Sequence, residues 1–190
     1  MGIDIPLMMR RILTTAECAP LLCFAIMNES LLANARLYAA RHQLQIAESL
    51  GSGKDGIVIA ARRKEKAADV AIKVHRFPES YQREKQAYER PRDHAVRDVL
   101  GFNVPQFIGF NDDLRLIEMT IVARPFVLDF AAAYLDSRPD FSEEVWADWE
   151  KDKRDQFEER WPQVQAILAE FEQIRIYLLD ISPANIGFSD

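Results

Sequence analysis

The stretch Gly51–Ser52–Gly53–Lys54–Asp55–Gly56 carries three of the chain's seven glycines and lies between two apolar, β-prone segments. A cluster so placed leaves few options. It can open a helix, as in a dinucleotide-binding unit, or it can turn a hairpin. The residues that follow, Ile57–Val58–Ile59–Ala60, are mostly β-branched and have strand rather than helix character. No G-x-x-x-x-G-K-[ST] string occurs, which excludes a P-loop. The cluster therefore reads as a hairpin whose backbone N–H groups can approach phosphate oxygens with no side chain in the way. Taken alone, a plain tight turn between strands accounts for it as well.

Periodicity extends this start into an α+β plan. Leu31, Leu32, Ala35, Tyr38 and Ala39 recur at helical spacing, predicting a helix over 30–43 with Ser30 as N-cap. Strands are predicted over 45–50, 57–62 and 69–75, then a helix over 78–90 stopped by Pro91. Two further strands, 104–110 and 114–122, flank the turn Asn111–Asp112–Asp113. Beyond Pro125 the pattern becomes helical, over 127–135 and over 142–173. The second of these starts at Ser142 with Glu143 and Glu144 in its first turn, and breaks near Trp161–Pro162. A short apolar strand, 174–179, comes last. The order implies an extension and helix over 1–44, a five-stranded antiparallel lobe with one helix over 45–122, and a mainly helical lobe over 123–190.

Composition excludes several classes of function. A chain of 190 residues suffices for one domain with a real core or for two small lobes. Its net charge of −6 argues against general affinity for nucleic acid or anionic membranes, though a few local cations can still hold a nucleotide. Cys18 and Cys23 are too close together to staple a fold, and no His or Cys cluster has metal-ligand spacing. Reduced thiols in a cytoplasmic protein are the expectation. The apolar stretch 21–27, preceded by Thr14, Thr15, Glu17 and Pro20, is too short for a membrane span and lacks the form of a signal peptide. Residues 1–27 read as a weakly ordered extension, with Met27 as a second possible start of the chain.

Two more elements follow the glycine hairpin in order. Val70–Ala71–Ile72–Lys73 ends an apolar strand in a lysine, usually a snorkelling surface residue. Ile176–Tyr177–Leu178–Leu179–Asp180–Ile181–Ser182–Pro183–Ala184–Asn185–Ile186 places an Asp, and an Asn five residues on, after another apolar strand. Together with the hairpin and the intervening helix, these elements resemble the protein-kinase-like fold in a reduced form that ends just after the catalytic loop. The resemblance covers roughly residues 45–188.

The resemblance implies ATP and Mg²⁺ as ligands. By it, Leu50, Gly51, Ser52, Gly53, Lys54, Asp55, Gly56, Val58 and Ala71 surround the nucleotide, and Lys73 pairs its phosphates. Glu84 would fix Lys73, being four residues before Tyr88 on the face expected to pack inward; Glu89 is the runner-up. A solvated helix face is the plain alternative for both. Leu116–Ile117–Glu118–Met119–Thr120 resembles the strand joining kinase lobes, so Glu118 and Thr120 would offer backbone groups to adenine and Ile117 would line the pocket behind it. Asp180 would accept or orient the proton of the acceptor hydroxyl, and Asn185 would ligate Mg²⁺, with Asp190 as a further carboxylate.

The departures shape the expected activity. Leu178 and Leu179 stand where the family usually has His-Arg, and Ser182 where Ser/Thr kinases usually carry Lys. The Pro-x-Asn spacing is shared with aminoglycoside-phosphotransferase-type small-molecule kinases. The chain has only five residues after Asn185, so the Asp-Phe-Gly metal site, the activation segment and the later helices are not in it. The expected function is transfer of the γ-phosphate of ATP to a protein or small-molecule hydroxyl. The alternatives are a pseudokinase, or nucleotide-responsive binding module without turnover, and a partial kinase completed by a second chain. Trp146, Trp149, Phe157 and Trp161 form an aromatic stripe that reads as core, part of it a face for a protein partner.

Overall fold

The computed structural model describes residues 15–63, 69–128, 130 and 132–189, with side chains from residue 28 onward. In chain order its elements are α1 (Thr15–Arg41), β1 (Leu44–Ser52), β2 (Gly56–Arg63), β3 (Asp69–His75), α2 (Pro78–Asp93), β4 (Asp98–Val99), β5 (Phe102–Asn103), β6 (Phe107–Asn111) and β7 (Leu116–Thr120). These are followed by β8 (Phe126–Val127), β9 (Tyr134–Leu135), α3 (Glu143–Phe157), a 3-10 turn (Glu158–Arg160), α4 (Trp161–Gln173), β10 (Ile176–Tyr177) and β11 (Ile186–Gly187). The fold is α+β. Its main sheet is five-stranded and antiparallel, in the order β1-β2-β3-β7-β6.

Strand alternation gives this sheet two apolar faces. On one, Ile57, Ile59, Val70, Ile72, Val74 and Leu116 pack with Leu31, Ala35 and Tyr38 of α1. On the other, Ala71, Ile117 and Met119 pack with Tyr81, Ala87 and Tyr88 of α2 and continue into the core of the helical part. Residues 81, 84, 87 and 88 repeat at helical spacing and are all buried, which fixes the face that α2 turns to the sheet.

Several expectations are corrected. α1 begins at Thr15, so Ser30 lies within a helix rather than capping one, and residues 15–27 are helical. Residues 1–14 lie outside the described residues. α2 runs through Pro91, which sits in its last turn, where the missing N–H removes only one helix hydrogen bond. The break expected near Trp161–Pro162 is there: α3 ends at Phe157, Glu158 has a φ of 51°, and α4 starts at Trp161 after the 3-10 turn. Pro162 is in the first turn of α4, where its missing N–H costs nothing. Ser142 does cap α3, its Oγ accepting from the Val145 N–H at 3.4 Å.

The largest departure is the segment 127–135, which contains no helix among its described residues. An apolar run of that length has no period that separates helix from strand. It supplies instead the short strands β8 and β9. β8 pairs with β11, and β9 with β10. The two ladders hold the intervening loop, 178–185, at both ends. No helix among the described residues is long and apolar enough to cross a membrane.

Candidate functional site

The β1–β2 hairpin is closed by Gly53 N–H donating to Gly56 O at 2.9 Å, and Asp55 O accepts from Arg76 N–H at 2.7 Å. Its glycines differ in kind. A Cβ on Gly56 would fall 2.1 Å from the carbonyl oxygen of Val74, so this glycine is required by the close approach of β2 to β3. Gly51 and Gly53 have nothing within 4 Å of such an atom. Packing accounts for the first glycine and leaves the other two without a role inside the fold.

β3 carries Lys73 onto the face opposite α1. Its Nζ lies 2.6 Å from Glu84 Oε1, with the lysine side chain 12% exposed and the glutamate fully buried. The second oxygen of Glu84 is 2.7 Å from His75 Nε2. Burial pushes the Glu84 carboxyl up, but the Lys73 charge and the contacts with His75 together outweigh it and hold the group below the ordinary carboxylate value. Glu84 is thus fixed by two residues of one strand. His75 was not foreseen as a site residue. Its signal is present, since residues 73 and 75 of a strand share a face.

α2 is fastened a second time at the β6–β7 turn. Asp112 Oδ1 accepts from Tyr81 Oη and from Lys85 Nζ, both at 2.8 Å. The hydrogen bonds from Lys85 and Tyr81 hold the Asp112 carboxyl below its usual range. Burial, then the bond to Asp112, push the Tyr81 hydroxyl up.

The loop after β10 is built around Asn185. Its Oδ1 accepts from Ser182 N–H at 2.7 Å, and its Nδ2 donates to Asp180 O at 2.6 Å. Leu178 and Ile181 are buried on either side of Asp180, whose carboxylate is lifted into solvent and has no ion pair among the described residues. Trp149 Nε1 donates to Leu179 O at 3.0 Å, tying α3 to the same loop.

These parts surround one cleft of about 770 Å³ between the sheet and the helical part. Leu50, Gly51 and Ser52 form its roof, with Val58, Ala71 and Lys73 from β2 and β3. Asp180, Ser182, Ala184 and Asn185 enter from below, and Leu128 supplies an apolar floor. Of the residues singled out from the sequence, Leu50, Gly51, Ser52, Val58, Ala71, Lys73, Thr120, Asp180 and Asn185 therefore meet in one place.

Others do not reach it. Gly53, Lys54 and Asp55 form the hairpin turn and Gly56 opens β2, all of them outside the cleft wall. Ile117 is fully buried in the core, and Met119 takes the place on the wall that was expected of it. Glu118 is the clearest correction. It faces α1, where its carboxylate accepts from Tyr38 Oη at 2.9 Å and pairs with Arg63. It also lies in the middle of the sheet, in register with Ile72 of β3 and Gly109 of β6, so its backbone is not free for a ligand. Alternation explains this, because 117 and 119 share one face of β7 and 118 points to the other.

Thr120 donates its N–H to Gln106 O at 3.0 Å and is committed likewise. Past the last ladder pair, Val70–Thr120, the cleft is lined by Ile121 and Val122. Asp190 lies outside the described residues, and no group of three or more His, Cys, Asp or Glu that could hold a metal occurs among the described ones. No family model, curated protein or solved structure matches this chain.

Proposed function

We propose that the chain binds Mg-ATP in this cleft and transfers the γ-phosphate to a hydroxyl of a protein or small molecule. One observation carries the reading: a half-buried, carboxylate-fixed ammonium and an unpaired, exposed carboxylate open on the same cavity, beneath a glycine, Gly51, that packing does not require. Val58, Ala71 and Met119 above and Leu128 below would sandwich the base, with the backbone of Ile121 and Val122 at its polar edge. Gly51 and Ser52 leave room for phosphates, and Lys73 faces them with its charge held in place by Glu84.

Mg²⁺ bound with a triphosphate needs only one or two protein oxygens, because phosphates and water fill the other positions. Asn185 fits that role, since its Oδ1 has engaged one acceptor direction on Ser182 and keeps a second. When bound, the ion supplies neutralisation of the phosphate charge. In the reaction the acceptor oxygen bonds to the γ-phosphorus, the bond from that phosphorus to the bridging oxygen breaks, and ADP leaves. Asp180 takes the hydroxyl proton.

Asp180→Ala is expected to reduce phosphate transfer by about 10²–10³-fold, the range for loss of one group acting in the transition state, while Mg-ATP still raises the melting temperature. A radiolabelled γ-phosphate assay beside a thermal-shift titration checks this. Wild-type protein that turns over no faster than the variant contradicts the transfer reaction. ATP stabilisation of both proteins would then support the second reading, a nucleotide-responsive module without turnover. That reading is favoured by the engagement of the Asn185 amide at both ends within its own loop.

A further inference from the structure

Of the aromatic stripe, Phe157 and Trp161 belong to the core and Trp149 packs against it, while Trp146 lies outside that cluster. Glu143, Trp146, Ala147 and Glu150 form one helical face of α3. Gln165, Leu168, Ala169 and Glu172 form the facing stripe of α4. Between them is a groove of about 550 Å³, floored by Tyr177 to Leu179 and separate from the nucleotide cleft. That volume is within the range of small-molecule sites, roughly 300–1,000 Å³.

The groove has the chemistry of a cation site. Trp146, Trp149 and Trp161 line it in an edge-to-face chain, with ring centroids 5.7 and 6.2 Å apart. One indole face already holds a positive charge, the Arg138 guanidinium carbon lying 3.8 Å from the Trp146 ring centroid. Of the three carboxylates in the lining, Glu150 is paired with Arg154 at 2.8 Å, whereas Glu143 and Glu172 have no ion pair among the described residues. Glu172 is in the last turn of α4, which contains no basic residue, so its charge adds to the negative end of the helix dipole.

We propose that this groove binds an organic cation, an ammonium or guanidinium group carried on an aromatic or apolar body. The body lies against the indoles and the charge is directed to Glu172 and Glu143. This site is independent of the nucleotide reading. The lining carries three carboxylates against the one guanidinium of Arg138, so its charge favours a cation over an anion.

All three tryptophans of the chain line the groove, so intrinsic tryptophan emission reports on it. The full-length protein is titrated with phenethylammonium and, in parallel, with 2-phenylethanol, which has nearly the same shape and no charge. Saturable emission change with a Kd of order 1 mM is expected for the cation, with the alcohol about tenfold weaker. Glu172→Gln should remove most of that preference and leave the response to the alcohol as it was, and Glu143→Gln provides the same comparison if the first variant is misfolded by circular dichroism. Equal responses to the two probes, no saturable response to the cation, or a preference unchanged in both folded variants would overturn the proposal.

Discussion

Lys73→Met lowers the unfolding free energy by about 3 kcal/mol, read from urea denaturation, because it leaves the buried Glu84 carboxylate with only His75 beside it. The lost Coulomb attraction is the smaller part of the effect. Most of it is the cost of an anion that stays out of water without its closest cation. Lys73→Met/Glu84→Gln therefore recovers part of the loss, since the neutral amide can still accept from His75. The same pair makes the wild type acid-sensitive in a definite direction. The carboxyl of Glu84 is held below its ordinary value, so its contribution is fully present above the unfolded carboxylate pKa and is lost as pH falls through the folded one. The double variant should lack this limb of the pH profile.

Gly56→Ala is the second large effect. The added methyl would sit 2.1 Å from a backbone oxygen of β3, an atom that cannot rotate away as a side chain can, so the hairpin must part from its neighbour. A loss of about 3 kcal/mol or more is expected in the same denaturation experiment. Gly51→Ala and Gly53→Ala meet nothing within 4 Å and should change stability by no more than about 0.5 kcal/mol. If the proposed function holds, Gly51→Ala nevertheless weakens Mg-ATP binding. The three glycines of the hairpin then separate into Gly56, which the fold requires, and Gly51, which faces the cleft and is left for a ligand.

What the sequence made legible was local chemistry in a fixed order. The hairpin, the strand ending in Lys73 and the loop from Asp180 to Asn185 could be placed because each needs particular residue types at short spacing. Glu84 could be preferred to Glu89 because a glutamate four residues before Tyr88 shares its buried face. Glu118 was misplaced because its partners, Tyr38 and Arg63, are 80 and 55 residues away, and nothing local announces a buried ion pair. The segment 127–135 was read as helix because its apolar run has no period that decides, whereas β8 and β9 arise from pairing with distant strands, β8 with β5 and β11 and β9 with β10. His75 was passed over because a histidine ending an apolar strand is ambiguous until the helix that buries it is in place.

The central claim is that Lys73 faces the phosphates of a nucleotide held in the cleft. An acyl-phosphate derivative of ATP, which acylates an amine lying beside its phosphates, tests this on the unmodified chain, with the labelled peptide found by mass spectrometry. Acylation of Lys73 that is suppressed by excess Mg-ATP is the predicted result. Label confined to exposed lysines such as Lys151, and insensitive to Mg-ATP, would contradict it.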